Sequence, residues 1–425
     1  MIIYRPLLGL AFIGNQSLAK ITSKIADGNE VTLKQEISSF LQNIGFYLPD
    51  PPLRPHKSFY TTAVLLLTNQ CQLRCTYCYA SAGDFPQKTL DIDSGKLVID
   101  YVCKSVMDNG GYEFQVSFHG GGEPTLDWEI LKALTEYSRV KPIPAKISIT
   151  SNALWSKENC RWLIKNMDSI SVSMDGAPGT QNQNRPLISG KNSSSIVMRN
   201  LKVLDENQFT YGIRMTATRP FENLPSNVEF ILQETKCRSI QVEPAFNLTR
   251  GGHEAGKERD EYLSFSEAFI KAYNIAKNKG VQVRFSAARP GLTTDTFCLA
   301  PFNAMAVNPY NLIVTCYEIT HPSHPLVGIS SFGIVNGHTI TFESNPRSKL
   351  HALLAERQIQ CQSCFCKWSC AGDCYTRAIL PGDGGNLIFG ERCEMIRNLT
   401  RYLILDLMAD AGGVWSRSGM GFLNT

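Results

Sequence analysis

The stretch Thr68–Gly83, TNQCQLRCTYCYASAG, carries Cys71, Cys75 and Cys78 in a C-x3-C-x2-C spacing. It directly follows AVLLL (63–67), an unbroken apolar run that reads as a buried strand. Three thiolates on one tight loop can hold three irons of a 4Fe–4S cluster, leaving the fourth iron free for a substrate or cofactor. A structural zinc loop uses the same residue type but takes four ligands, and no fourth Cys or His lies nearby in the sequence.

From this loop outward, strand-like and helix-like segments alternate. Strand patterns run over 63–67, 113–120, 145–150, 169–174, 211–218, 239–244 and 281–286, with helical patterns such as 94–108 and 262–278 between them. Such alternation predicts an α/β fold: a parallel sheet with crossover helices, closed or partly closed, whose sites sit at the C-terminal strand ends. The expected divisions are a small unit and Pro-rich linker over 1–55, the barrel over 56–288, a cysteine-rich domain over 289–400, and a helix and tail over 401–425. In the first unit, a strand pair turns at Gly9. Two short helices follow, their apolar faces carried by Leu18, Ile21 and Ile25 and by Leu33, Ile37, Phe40, Leu41 and Ile44. That arrangement suits a winged-helix-like module.

Composition narrows the class. The chain has 425 residues, 43% hydrophobic and 19% charged, with a net charge of +4 and no long basic run. A nucleic-acid partner is not indicated. No stretch approaches the roughly 20 apolar residues of a membrane helix, and the apolar start carries Arg5 and no signal-type cleavage pattern. A cytoplasmic location is expected. Fourteen cysteines in a reducing compartment favour metal or iron–sulfur binding over disulfides. Beyond residue 290 they dominate: Cys298 and Cys316, then Cys361, Cys364, Cys370 and Cys374, then Cys393. A zinc ribbon is the alternative for this region. Cys103, Cys160, Cys237 and Cys366 remain, and free cysteines are commonly buried small hydrophobes.

The three-cysteine loop, with Tyr77 before its third cysteine, resembles that of the radical S-adenosylmethionine (SAM) superfamily. Further segments agree in order. FHGGGEPTL (118–126) resembles the family's GGEP motif, ITSNAL (149–154) its Thr/Ser-Asn strand end, and SVSMDG (171–176) the Ser-x-Asp-Gly strand end of the peptide-modifying branch. The resemblance implies a partial (β/α)6 TIM-like barrel. It implies a 4Fe–4S cluster on Cys71, Cys75 and Cys78 that chelates SAM. Cofactor contacts fall to Tyr77, Gly121, Gly122, Glu123, Ser151, Asn152, Ser173, Asp175 and Arg214. Glycine permits close backbone approach there, and an Arg fork suits a carboxylate.

The later cysteines match the SPASM extension of that superfamily. By that resemblance Cys361, Cys364, Cys370 and Cys393 bind an outer auxiliary 4Fe–4S cluster, and Cys298, Cys316 and Cys374 an inner one. Cys366 is then the spare. One residue departs: Asn311 stands where the pattern has glycine, and Asn tolerates a left-handed turn well. The implied function is that of a peptide maturase. It would use three 4Fe–4S clusters and SAM to abstract hydrogen from a leader-bearing ribosomal precursor peptide and install a thioether or carbon–carbon cross-link. A low-potential donor such as flavodoxin or ferredoxin would reduce it. The alternatives are a sulfatase-maturase-like, formylglycine-forming enzyme and a non-catalytic iron–sulfur electron-transfer protein. Tyr317 stands where sulfatase-maturing relatives carry Asp, and Glu318 beside it is the candidate base.

Overall fold

The computed structural model describes residues 1–53, 59–245, 259–378 and 390–417. The last four residues of the expected linker (54–57) and the last eight residues of the chain lie outside that set, as do the side chains at 259–262, the start of a helix expected from 262. The chain opens with a hairpin, β1 (Ile2–Arg5) and β2 (Leu10–Ile13), antiparallel and turning at Gly9 in the left-handed region at φ 63°. Helices α1 (Gln16–Ala26) and α2 (Gln35–Asn43) follow. Asn15 caps α1 by accepting from Leu18 N at 2.9 Å, satisfying one of the donors a helix start leaves unpaired.

All seven strands expected between 63 and 286 form. They are β3 (Thr62–Leu65), β4 (Phe114–Phe118), β5 (Ala145–Ser151), β6 (Ser169–Ser173), β7 (Tyr211–Ala217), β8 (Ser239–Pro244) and β9 (Gln282–Arg284). Each pairs in parallel with the next. The helices between them are α3 (Ile92–Asp108), α4 (Trp128–Arg139), α5 (Lys157–Asn166), α6 (Pro178–Asn184), α7 (Ser194–Glu206), α8 (Leu224–Glu234) and α9 (Arg259–Asn278). Asp91 and Ser156 cap α3 and α5 through Ser94 N and Asn159 N, at 2.9 and 3.1 Å. One face of the sheet, including Leu65, Val116, Phe118, Ile147 and Ile149, is fully enclosed against these helices. Each such side chain contributes about 1.5–3 kcal/mol when taken out of water. This is the α/β partial barrel of the sequence reading.

The sheet continues past the barrel. After α10 (Ala300–Asn303), strand β10 (Ala304–Val307) pairs in parallel with β3, on the side away from β4. Strand β11 (Leu312–Val314), helix α11 (Val327–Ser330), and strands β12 (Ser331–Asn336) and β13 (Thr339–Phe342) extend it antiparallel into one 11-stranded sheet. Asn311 turns the β10–β11 hairpin at φ 61°, the left-handed conformation expected of it. The cysteine-rich region is therefore grafted onto the barrel's own sheet.

Helices α12 (Ser344–Gln360), α13 (Lys367–Cys370), α14 (Tyr375–Ala378) and α15 (Glu391–Asp410) complete that region. The boundary drawn at 401 falls inside α15. Beyond it, β14 (Val414–Ser416) pairs antiparallel with β2, so the hairpin of the first unit gains its third strand from the other end of the chain. Trp415, only 2% exposed, packs with Ala11, Ile404 and Met408. Among the described residues, no helix is long and apolar enough to cross a membrane.

Replacing Trp415 with Ala removes the largest side chain of this junction. It should cost roughly 3 kcal/mol or more and speed amide hydrogen exchange in β2, while β3–β8 stay protected. Unchanged exchange in β2 would contradict the junction's role.

Candidate functional site

The three-cysteine loop leaves β3 and docks through its backbone. Arg74 N donates to Pro186 O at 2.8 Å, and Thr76 N to Asn184 O at 3.0 Å. Arg74 Nη1 clasps the loop's own carbonyls at Cys71 and Leu73, at 2.7 and 3.0 Å. From the next strand end, Glu123 N donates to Gln70 O at 2.8 Å. A Cβ on Gly122 would stand 2.1 Å from that same oxygen. Only glycine allows the two backbones this approach, so GGGE positions the cysteine loop from below.

The polar residues of the loop ends divide by what they already bind. Glu123, 3% exposed, accepts from Thr125 N (3.2 Å), Thr125 Oγ1 (2.7 Å) and Ser151 Oγ (2.6 Å) on Oε1, and from Asn152 N (2.8 Å) on Oε2. Burial pushes its carboxyl above the usual range, and these donors pull it back. A carboxylate offers about four lone-pair sites, so Oε2 retains capacity. Ser151, expected as a cofactor contact, also accepts from Trp155 Nε1 at 2.9 Å and Ala153 N at 3.1 Å. Its hydroxyl is spent on orienting Glu123. Asn152 directs its amide at Cys71 Sγ, 3.6 Å away.

Asp175 corrects the sequence reading more sharply. It is 2% exposed and does not line the cavity. Its carboxylate accepts from the Tyr77 hydroxyl, from Arg185 Nη2 (3.1 Å), Asn184 Nδ2 (3.3 Å) and Thr216 N (3.0 Å). The Arg185 guanidinium lies 5.3 Å from the Tyr77 ring centre. Asp175 thus anchors the aromatic between Cys75 and Cys78.

Above this base lies a cavity of about 500 Å³. Cys71, Cys75 and Cys78 line it, with Gly122, Glu123, Asn152, Ser173 and Arg214, and so do Cys298, Cys316 and Cys374. Segments more than 200 residues apart in sequence meet here. The other cysteines gather elsewhere: Cys361, Cys364, Cys370 and Cys393 line one small second cavity, and Cys366 joins them, 2% exposed. Burial pushes the Cys71 thiol up to about 12, with the neighbouring Glu123 adding to it, and Cys374 up to about 11. A hydrogen bond from Cys366 draws Cys364 down to about 6. Among the described residues, no three His, Cys, Asp or Glu side chains converge as they would around one ion. The thiols instead line cavity walls with N–H donors at hand, such as Leu73 N at 3.4 Å from Cys71 Sγ. That donor set suits a sulfur-rich cluster.

Sequence reasoning missed several wall residues. His119 directly precedes the glycine run, and its ring centre is 4.8 Å from that of Tyr317. Its Nε2 is buried without a hydrogen-bond partner among the described residues, and burial pulls the imidazole down to about 3. Arg377 grips both oxygens of Glu318, with Nη1 at 3.1 Å from Oε2. The candidate base Glu318 is therefore held in an ion pair on the cavity wall. Position next to a motif could have flagged His119; nothing local could have flagged Arg377.

Residues 65–223 match the Radical SAM superfamily. An uncharacterized protein of Methanocaldococcus jannaschii is 27% identical over 64% of this chain and 88% of its own. Fe-coproporphyrin III synthase of Methanosarcina barkeri is 28% identical over 60% of each chain. Sporulation killing factor maturation protein SkfB of Bacillus subtilis is 26% identical over 60% of this chain and 58% of its own. This chain thus spans about three fifths of the length of the latter two. Among solved structures, anSMEcpe with bound AdoMet superposes with a TM-score of 0.64 at 17% identity, covering 83% of this chain and 99% of that one. Streptococcus suis SuiB bound to S-adenosylmethionine gives 0.56 at 16%, covering 88% and 87%. The match over residues 65–223 bears out the resemblance to the radical SAM superfamily drawn from the motifs, and the solved structures share the fold.

Two substitutions test the geometry. Gly122→Ala forces a Cβ onto Gln70 backbone and should destabilise the protein by about 1–3 kcal/mol and cut its iron content. Gly179→Ala, with nothing within 4 Å, should match wild type in melting temperature and iron. Glu318→Gln strips Arg377 of its counter-charge inside a wall and should lower the melting temperature; an unchanged melt would mean the pair is not formed.

Proposed function

We propose that this protein is a radical SAM peptide maturase that modifies a ribosomal precursor peptide. One observation carries the reading: a single cavity is lined both by Cys71, Cys75 and Cys78 and by Cys298, Cys316 and Cys374. Bound there, a 4Fe–4S cluster with SAM would supply a 5′-deoxyadenosyl radical able to take hydrogen from a substrate carbon. The first three cysteines hold that cluster. Glu123 Oε2 and the glycine-run carbonyls accept the methionyl ammonium, Arg214 takes its carboxylate, and Ser173 meets the ribose. Tyr77 acts by bracing the loop through Asp175. Tyr79, Tyr317 and Phe297 wall the chamber and keep water from a radical. Cys298, Cys316 and Cys374, on the wall of the same cavity, would hold an auxiliary cluster that could supply an acceptor for the electron a cross-linked product must lose, and the outer four cysteines would hold a second. A flavodoxin- or ferredoxin-like donor reduces the first cluster.

The peptide's leader docks on the small sheet of the N-terminal unit. Among the described residues, its outer strands β1 and β14 each leave one edge unpaired, which suits an added strand. Ile13, Phe40, Tyr47 and Leu48 add exposed apolar surface nearby.

A second reading is modification of tetrapyrrole side chains, favoured by the likeness to Fe-coproporphyrin III synthase. It suits this cavity less well. Among the described arginines on its wall, Arg185, Arg377 and Arg392 are committed to Asp175, Glu318 and Asp373, which leaves Arg214 for several propionates. Tyr317 stands where sulfatase-maturing relatives carry Asp, which favours cross-linking over formylglycine formation.

Reduced, anaerobic protein reconstituted with iron and sulfide should convert SAM to 5′-deoxyadenosine, and the Cys71→Ala, Cys75→Ala, Cys78→Ala triple variant should not. No 5′-deoxyadenosine from wild type, with or without candidate peptides or coproporphyrin, overturns the enzyme reading. Iron should approach roughly 12 per chain. Cys374→Ala should lose the inner cluster, whereas Cys366→Ala should keep wild-type iron.

A further inference from the structure

Arg289 follows β9 and belongs to no motif. Its side chain spans the two auxiliary cysteine sets. Nε donates to Ser369 O at 3.1 Å, and Nη1 to Phe297 O at 3.3 Å. These carbonyls belong to the residues immediately before Cys370 and Cys298, which the preceding reading assigns to the outer and inner clusters. The guanidinium also lies 5.1 Å from the Phe297 ring centre. Thr294 N, five residues on, donates to Trp368 O at 2.8 Å, so the two loops are stitched at neighbouring points. The remaining nitrogen, Nη2, is buried and has no hydrogen-bond partner among the described residues. Burying a guanidinium costs free energy unless negative charge is near. Cys370, Cys298, Asp373 and Glu243 are the groups that oppose the effect of burial on it.

We propose that Arg289 is a positioning residue that joins the inner and outer auxiliary sites, holding both cysteine loops in register and sharing one fixed positive charge between them. The proposal rests on the reading that these cysteines carry iron–sulfur clusters. A cluster held by either cysteine set would gain one negative charge on accepting an electron, next to loops that the guanidinium binds. A buried cation lowers the cost of that charge, so both sites should be easier to reduce with Arg289 than without it.

The test uses the full chain with Cys71, Cys75 and Cys78 replaced by Ala, so that only auxiliary signals remain. Iron, sulfide and redox titrations followed by electron paramagnetic resonance are read for Arg289, Arg289→Lys and Arg289→Met. The expected result is wild-type auxiliary iron with more negative midpoint potentials for both sites in Arg289→Met, and a smaller shift in Arg289→Lys. Loss of auxiliary iron in Arg289→Met but not in Arg289→Lys also supports the shared cation. Unchanged potentials in Arg289→Met overturn the proposal, as do equal shifts in the two variants, a shift at one site alone, or iron loss in both. If the Arg289 parent itself binds no iron and sulfide, the cluster reading fails instead, and the proposal falls with it.

Discussion

Strand β3 is the hinge of the whole arrangement. It is four residues long, and its backbone is hydrogen-bonded in parallel to β4 on one side and β10 on the other. Both backbone faces of Thr62–Leu65 are therefore spent on neighbours that matter to the site. β4 delivers the glycine run against Gln70. β10 begins just after Cys298 and opens the hairpin that leads to Cys316. One short strand thereby brings the cofactor loop and the inner cysteines around a common chamber.

Such a chamber has to be held by groups other than those it presents. Glu123 is fixed by Ser151, Thr125 and Asn152; Tyr77 by Asp175; Glu318 by Arg377; Asp373 by Arg392 through a bond at 3.0 Å and a second, shorter one. In low dielectric, each of these buried charges is costly alone and acceptable only when paired. Pairing consumes them. Among the described residues, polar atoms with capacity for a ligand remain on the wall at Arg214, Ser173, His119 Nε2 and Glu123 Oε2.

Much of this was legible in the chain. Cysteine spacing is a local, covalent signal, so the three-cysteine loop could be read before any fold was known, whereas the division of the later cysteines into inner and outer sets, with Cys366 left over, came only from their resemblance to the SPASM pattern. Period-two apolar runs marked seven strands, and Asn311 announced a left-handed turn by its chemistry. The reading failed where a side chain's partner is distant. Ser151 and Asp175 sit at the right strand ends, but their oxygens are taken by residues that only folding brings near. Glu318 is held in an ion pair by Arg377, 59 residues away.

The sequence by itself determined the class of chemistry: which loops carry thiols, in what spacing, on what kind of sheet. Tertiary structure decided how those loops are shared out. It put Cys298, Cys316 and Cys374 on the wall that also carries Cys71, Cys75 and Cys78, and gathered Cys361, Cys364, Cys370 and Cys393 apart from them. It closed the N-terminal hairpin with β14 and drew Arg289 between two cysteine loops. The reason is physical. Ligand spacing is written in neighbouring residues, whereas strand pairing across hundreds of residues and the neutralisation of buried charge depend on contacts that no local pattern encodes.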